Sequence, residues 1–362
     1  MATSNPIADL VTRAMALRQA GRLSEAEAVL RQATLAAPRS AEAHHHLGGI
    51  LAQQGRRTEA EAAWRRTLAL APGAPSTEAA LGALLLADGR YAEGFRLFES
   101  RHVIARMAKP RLPYPEWRGE DLTGRKLLIW PEQGFGDQIQ FARFAPLAAA
   151  AGADVTLLCL PPLQRLFAAS LGVRVLAASG QVEFPDPDVW VMAGSLAGRM
   201  GVTVETVPGA PYLRPVDPPA PAPDGFRVGV MTAGNPAHAN DTHRSLPAAM
   251  AERLRAGLPG AVVDLRPEAT GARDFADSAQ VIAGLDLVVA VDTSVAHLAG
   301  ALGKPVFVLL SAVNTDWRWL RERSDSPWYP SARLYRQAAA DDWAPVIDRV
   351  LADAHAMAHG SG

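Results

Sequence analysis

Residues 285–310, LDLVVAVDTSVAHLAGALGKPVFVLL, decide how the chain is read. Leu287, Val288, Val289 and Val291 form an apolar run of strand length. Asp292, Thr293 and Ser294 follow at once, a polar turn that supplies a helix N-cap. Val295, Leu298, Ala299 and Leu302 then keep helical spacing. Gly303 fits the position just past a helix end, and Pro305 stops the helix from continuing. Val306–Leu310 is a second apolar run. The unit is strand, helix, strand, and its helix starts beside the carboxyl end of a parallel strand. Free backbone N–H groups at that place suit a phosphate-bearing ligand in open α/β sheets. An ordinary capped crossover accounts for the same residues equally well, so the stretch indicates α/β structure and leaves the ligand open.

Working outward, further strands are expected at Arg227–Met231 and near residues 262–265, with a final helix near 343–356. Upstream, Pro208, Pro211, Pro215, Pro218, Pro219, Pro221 and Pro223 fall within sixteen residues and read as a stiff interdomain linker. Before the linker a second α/β series is expected. Its strands are Lys126–Trp130, 155–160, 173–176 and 189–191, with helices near 138–151 and from 161 to about 172. Strands alternating with helices argue a parallel sheet. Two such halves joined by a proline-rich linker suggest a cleft between two Rossmann-like domains.

The first hundred residues repeat. Gly21, Gly55 and Gly89 are 34 residues apart, and Glu25, Glu59 and Glu93 keep the same step. Leu30, Trp64 and Phe98 place one large apolar residue in each unit, Ala26 and Ala60 a small one, with Gly94 in the third. Pro38 and Pro72 close the first two units. This period and pattern resemble the tetratricopeptide repeat, with two helices per unit, over residues 8–108. Stacked units of that kind offer a groove for a peptide or protein, or serve as a structural cap or dimer contact. The run His44-His45-His46 does not read as a metal site, since consecutive helical residues point in different directions.

Composition narrows the function classes. The net charge is −1, which carries no electrostatic signature of nucleic-acid binding. The single cysteine, Cys159, cannot form an internal disulfide and reads as a buried strand residue. The first ten residues lack a basic start followed by an apolar core, and every long apolar stretch is broken by Pro, Gly or charge. A cytoplasmic protein with no membrane span is the expectation.

Gly134-Phe135-Gly136-Asp137 sits where a strand turns into a helix. Glycines there let a backbone approach a ligand closely, and they also suit a tight turn. Neither a Walker loop nor the full dinucleotide fingerprint is present, because no Gly-Lys-Ser/Thr follows and position 139 is Ile. Asp137 can favour the helix dipole, or face the cleft as a general base. Asp186-Pro187-Asp188 reads as a turn.

Four blocks resemble the heptosyltransferase-like glycosyltransferases, family nine, in the branch fused to tetratricopeptide repeats. They are EQGFGDQIQFARFAPL (132–147), GNPAHANDTHRSLP (234–247), DFADSAQVIAGLDLVVAVDTSVAHLAGALGKPV (274–306) and DWRWLRERSDSPWYPSARLYRQ (316–337). The resemblance implies an α plus α/β chain: tetratricopeptide repeats over 1–110, then a GT-B fold of two Rossmann-like domains. The acceptor-side domain would span 111–215 and the nucleotide-sugar-binding domain 224–362. The same resemblance implies inverting transfer of a sugar from a nucleotide-sugar, with no required metal and no cofactor. Carried over onto matching residues, it makes Asp137 the catalytic base, in the block of Gly134 and Gly136. Arg244, with His243 beside it, would touch the donor phosphates, as would Thr293 and Ser294, with His297 one turn on. Asp292 would touch sugar or ribose hydroxyls, and Asn235, Asp316 and Arg318 are further donor-side candidates. Aromatic packing accounts for Trp317 and Trp319.

The acceptor implied is a protein or peptide selected by the repeats, such as flagellin or another surface component. Residues 263–268, VDLRPE, replace a serine-leucine-glutamine block common in relatives, and this motivates a rival: a non-catalytic tetratricopeptide scaffold with a degenerate GT-B domain. A nucleotide-sugar epimerase shares the fold, but a small-molecule enzyme has less use for a peptide groove.

Overall fold

A computed structural model describes residues 6–104, 109–132, 134–218, 224–238 and 240–360. The chain divides into two compact units, Met1–Lys109 and Pro110–Gly362.

The first unit is helical: Pro6–Gln19, Leu23–Ala36, Ala41–Gln53, Arg57–Leu70, Pro75–Ala87 and Tyr91–Phe98, then a single turn at Arg101–Ile104. The glycine of each repeat takes the left-handed conformation that turns one helix into the next, with φ 73°, 75° and 77° at Gly21, Gly55 and Gly89. Ala26 and Ala60 are fully buried, and Leu30 and Trp64 fill the same core beside them. Trp64 also donates from its indole to the His45 carbonyl at 3.1 Å. The periodic glutamates have a defined partner. Arg22, Arg56 and Arg90 each pair with the glutamate three residues on, Glu25, Glu59 and Glu93. Arg56 and Arg90 also reach back to Glu27 and Glu61, while Arg31 and Arg65 reach forward to Glu59 and Glu93. This forms an exposed ionic ladder from unit to unit. His44 meets the Pro38 carbonyl and His45 the Thr77 hydroxyl, while the rings of His45 and His46 meet edge to face with centroids 5.2 Å apart.

The second unit holds two parallel sheets. In the first, β1 (Lys126–Trp130), β2 (Asp154–Cys159), β3 (Arg174–Ala177) and β4 (Val189–Met192) lie in the order β3-β2-β1-β4. In the second, β5 (Arg227–Met231), β6 (Ala261–Asp264), β7 (Leu287–Val291), β8 (Val306–Leu310) and β9 (Ala332–Arg336) lie in the order β6-β5-β7-β8-β9. Every pairing is parallel. β7 and β8 are buried at every position, as strands covered on both faces are. In each sheet the first strand is internal and the chain reverses beside it. Carboxyl ends at such a reversal are where open α/β sheets bind ligands. The turns after β1, β5, β7 and β8 carry Gly134–Asp137, Asn235–Arg244, Asp292–Ser294 and Asp316–Arg318, so topology puts each sequence candidate at a strand's carboxyl end.

The structure corrects several expectations. The helix expected near 138–151 starts at Phe135 and is interrupted at Arg143, giving Phe135–Ala142 and Phe144–Ala150. β9 is a strand that local pattern does not announce, because Arg333 and Arg336 leave only three uncharged residues in its short run ARLYR. The proline-rich stretch is not a free spacer at its start: Tyr212 and Leu213 N–H groups both donate to the Ala301 carbonyl. Pro219, Pro221 and Pro223 lie outside the described residues. Asp186-Pro187-Asp188 is a loop, with Asp186 accepting from the Tyr114 hydroxyl and Asp188 from the Lys126 N–H. Cys159, by contrast, is buried on β2 as its apolar run predicts.

Candidate functional site

Two helix starts from the two sheets meet at the centre of the second unit. One belongs to Phe135–Ala142, after β1, and the other to Ser294–Ala301, after β7. The approach is close because Gly136 lacks a side chain: a Cβ there would lie 2.8 Å from His297 Cδ2 and 3.7 Å from Ser294 Cα. The positive ends of two helices therefore converge with few side chains between them. Thr293 is the N-cap of the second helix, yet its side chain makes no cap bond. Its hydroxyl is buried without a hydrogen-bond partner, which departs from the capping role read in the sequence. Gly303 does end this helix in the left-handed conformation, at φ 73°.

Asp137 stands at the first helix start. One carboxylate oxygen accepts the Gly134 N–H at 3.0 Å, and the other accepts from Arg318 across the two halves. Burial raises the Asp137 carboxyl above the usual carboxylate range, with Arg318 pulling the other way. Arg318 is 4% exposed and also donates to both oxygens of Asp316, at 3.0 and 2.8 Å. Asp316 caps the turn Trp317–Trp319 by accepting the Arg318 N–H. Burial opposes the Arg318 charge, but Asp137, Asp316 and Asp292 outweigh it and raise its pKa. Burial, and then the Asp316 carboxylate, push Asp292 up to about 6.

Arg244 approaches from β5. Its guanidinium donates to the Asp292 carbonyl at 2.9 Å and to Asp241 at 3.1 Å. Gly234 makes room for it: a Cβ there would lie 2.3 Å from Asp241 Oδ1 and 2.6 Å from Arg244 Nη2. The structure thus brings Gly136, Asp137, Ser294, His297, Asp316 and Arg318 together, with Arg244 joined through Asp292. It does not bring in Asn235, which is exposed and closes its own turn by accepting the Ala237 N–H. His243 is half-buried on the short helix Asp241–Arg244.

An aromatic wall completes the site: the packing of Trp319 is expected from the sequence, whereas that of Arg143, Tyr212, Trp328 and Tyr329 is not. Burial and then Arg318 depress the His297 imidazole to about 3, so it is neutral. Its Nδ1 is 3.0 Å from the Tyr329 hydroxyl, and its ring stacks on Trp319. Arg143, buried, lies over the rings of Tyr212, Tyr329 and Trp328 and donates to the Trp328 and Pro208 carbonyls. Farther out, Phe135 meets Phe275, and Arg165 pairs with Asp274 and Asp277. The signal available was a lone arginine in the apolar helix QFARFAPL and the pair Trp328-Tyr329, but nothing local links them. Among the described residues, no group of three or more His, Cys, Asp or Glu side chains is placed to hold a metal ion. No helix of the described residues is long and apolar enough to cross a membrane.

Residues 232–324 match the family model of Glycosyltransferase family 9 (heptosyltransferase). The match takes in Arg244, Thr293 and Arg318 and lies after the helical repeats. Protein FlbA of Caulobacter vibrioides is 27% identical over 309 residues, 71% of this chain and 51% of that protein. The chain spans about half the length of this curated relative. Among solved structures, the ADP-heptose lps heptosyltransferase II of E. coli is similar with a TM-score of 0.43 at 12% identity, covering 66% of this chain and 99% of that one. The Yersinia enterocolitica type III secretion chaperone SycD, in complex with a peptide of the translocator YopD, is similar to 28% of this chain. That match covers 78% of the chaperone, at a TM-score of 0.26 and 17% identity.

Proposed function

We propose that the chain is a glycosyltransferase that moves a sugar from a nucleotide-sugar donor to an acceptor, with inversion and without a metal. The observation that carries this reading is the meeting of two helix N-termini, one bearing the Asp137 carboxylate and the other a buried, unpartnered Thr293 hydroxyl beside Arg244. The Thr293–Ser294 helix start and Arg244 would hold the donor diphosphate and stabilise the charge that develops as it leaves. Asp137 would take the proton of the acceptor hydroxyl as its oxygen attacks the anomeric carbon and the bond to the diphosphate breaks. The burial that raises its pKa makes it a better proton acceptor than an ordinary aspartate. Residues 111–215 would serve the acceptor side and 224–362 the donor side. The acceptor would be a cytoplasmic protein or peptide, such as flagellin or another surface component, selected by the repeats.

The test is transfer by Asp137→Asn with a donor first confirmed by calorimetry. A loss of ~10²–10⁴-fold in turnover is expected, with donor affinity retained. Full activity of the variant removes Asp137 from the role of base. Binding of no nucleotide from a panel of ADP, GDP and UDP favours a scaffold with a degenerate glycosyltransferase domain.

A further inference from the structure

We propose that Arg318 is a positioning residue for Asp137, fixing its carboxylate in direction and charge, and that it is not a ligand of the donor. The proposal rests on the glycosyl-transfer reading above and reassigns a residue which the sequence resemblance placed among the donor contacts.

The geometry commits both terminal nitrogens of Arg318 to carboxylates. One terminal nitrogen donates to Asp137 and the other to both oxygens of Asp316. The remaining donor, Nε, is buried without a partner. The guanidinium is flanked by rings, 5.1 Å from the Phe141 centroid and 4.7 Å from that of Trp317. Its planar fork is thus held on its faces and along two edges, as a bidentate arginine is. The backbone that carries it is held under strain. Leu320 sits at φ 55° and ψ −168°, a conformation that suits glycine, with the preceding carbonyl of Trp319 pinned by Arg336 at 2.6 Å.

Asp137 needs this partner. The groups that face it are Arg318 and Asp316 from the loop after β8, and Glu132 and the Gly134 N–H from its own turn, while neutral His297 of the facing helix packs against the neighbouring Gly136. Apart from Arg318, the charged groups facing it are carboxylates. A buried carboxyl among carboxylates holds its proton, and a protonated acid cannot accept one. The guanidinium opposes the rise that burial and the neighbouring carboxylates impose on Asp137.

The experiment uses the full chain with Arg318→Gln and Arg318→Lys. Two readouts are taken: the titration of the Asp137 carboxyl by NMR of protein labelled at aspartate carboxyl carbons, assigned with Asp137→Asn, and calorimetry with ADP, GDP and UDP. In Arg318→Gln the carboxyl should titrate about one pH unit or more above wild type, with nucleotide affinity within about twofold. Arg318→Lys should restore part of the shift, and it serves alone if the glutamine variant does not fold. Where a donor is turned over, the acidic limb of kcat moves by the same amount and alkaline pH recovers the rate. An unmoved titration, or affinity for the nucleotide that wild type binds falling about tenfold or more, overturns the proposal. The carboxyl titration reads Arg318 whether or not any donor is turned over, so failure of the transferase reading would show separately.

Discussion

Asp292 holds its charge at a cost in stability that changes with pH. Its folded pKa, about 6, lies above that of an unfolded aspartate. The native state therefore holds a proton that the unfolded chain gives up, and this contribution is present at low pH and lost as pH rises through 6. Asp292→Asn should match wild type below the ordinary aspartate range and be more stable above pH 6, by at most roughly 3 kcal/mol at ~1.4 kcal/mol per unit. His297 works in the opposite sense: its folded pKa, about 3, lies below the ordinary imidazole value. It contributes stability that is lost on acidification, and in the asparagine variant that loss is no longer offset by Asp292. Thermal unfolding from mildly acidic to neutral pH checks this, and a difference in Tm that does not change with pH sinks the electrostatic account. At this scale Asp137, Asp292 and Thr293 were legible because each follows an apolar strand. The partner of Asp137 was not, because Arg318 lies 181 residues away and nothing local marks the pairing. Thr293 was legible as a cap by type, but its hydroxyl is left unbonded by the fold.

Glycines show how one residue type does different work within an element. Gly82 lies where helix Pro75–Ala87 crosses Tyr91–Phe98, and a Cβ there would stand 2.7 Å from the Phe98 backbone nitrogen. Gly49 lies within helix Ala41–Gln53, and a methyl group added there would meet nothing within 4 Å. Gly82→Ala should destabilise the repeats by ~1–3 kcal/mol, since the neighbouring backbone must move. Gly49→Ala should stabilise them by about 0.5–1 kcal/mol, since alanine restricts the unfolded chain and favours helix. Helicity followed in a denaturant titration separates the two, and effects of the same sign contradict the packing described. Elements with a period were readable: the 34-residue step marks the left-handed turn of each repeat, and the apolar runs mark β1, β5, β7 and β8 closely. Elements defined by long-range packing were not. β9 is a strand because β8 pairs with it over five positions, and the break at Arg143 falls where the guanidinium turns into the aromatic wall.

For the whole molecule, the order of helical repeats followed by two parallel α/β halves was legible from periodicity alone. The closure of the halves on one another was not, because it is made by pairs such as Arg165 with Asp274 and Phe135 with Phe275 that no spacing announces. Every residue proposed for donor chemistry lies in Pro110–Gly362, while the repeats bury a core of their own around Leu30, Ile50, Trp64 and Leu85. The proposed division of labour therefore separates under mutation. Gly82→Ala, at a temperature where its repeats have lost helicity, should keep its nucleotide affinity and lose modification of a protein acceptor. Asp137→Asn should keep both its nucleotide affinity and its capture of the acceptor, and lose only the transfer, by ~10²–10⁴-fold. Calorimetry with the confirmed nucleotide, capture of the acceptor by the full chain and mass measurement of the acceptor read the three quantities. Modification at the wild-type rate by a chain whose repeats have melted would remove the repeats from acceptor choice and leave them a structural part.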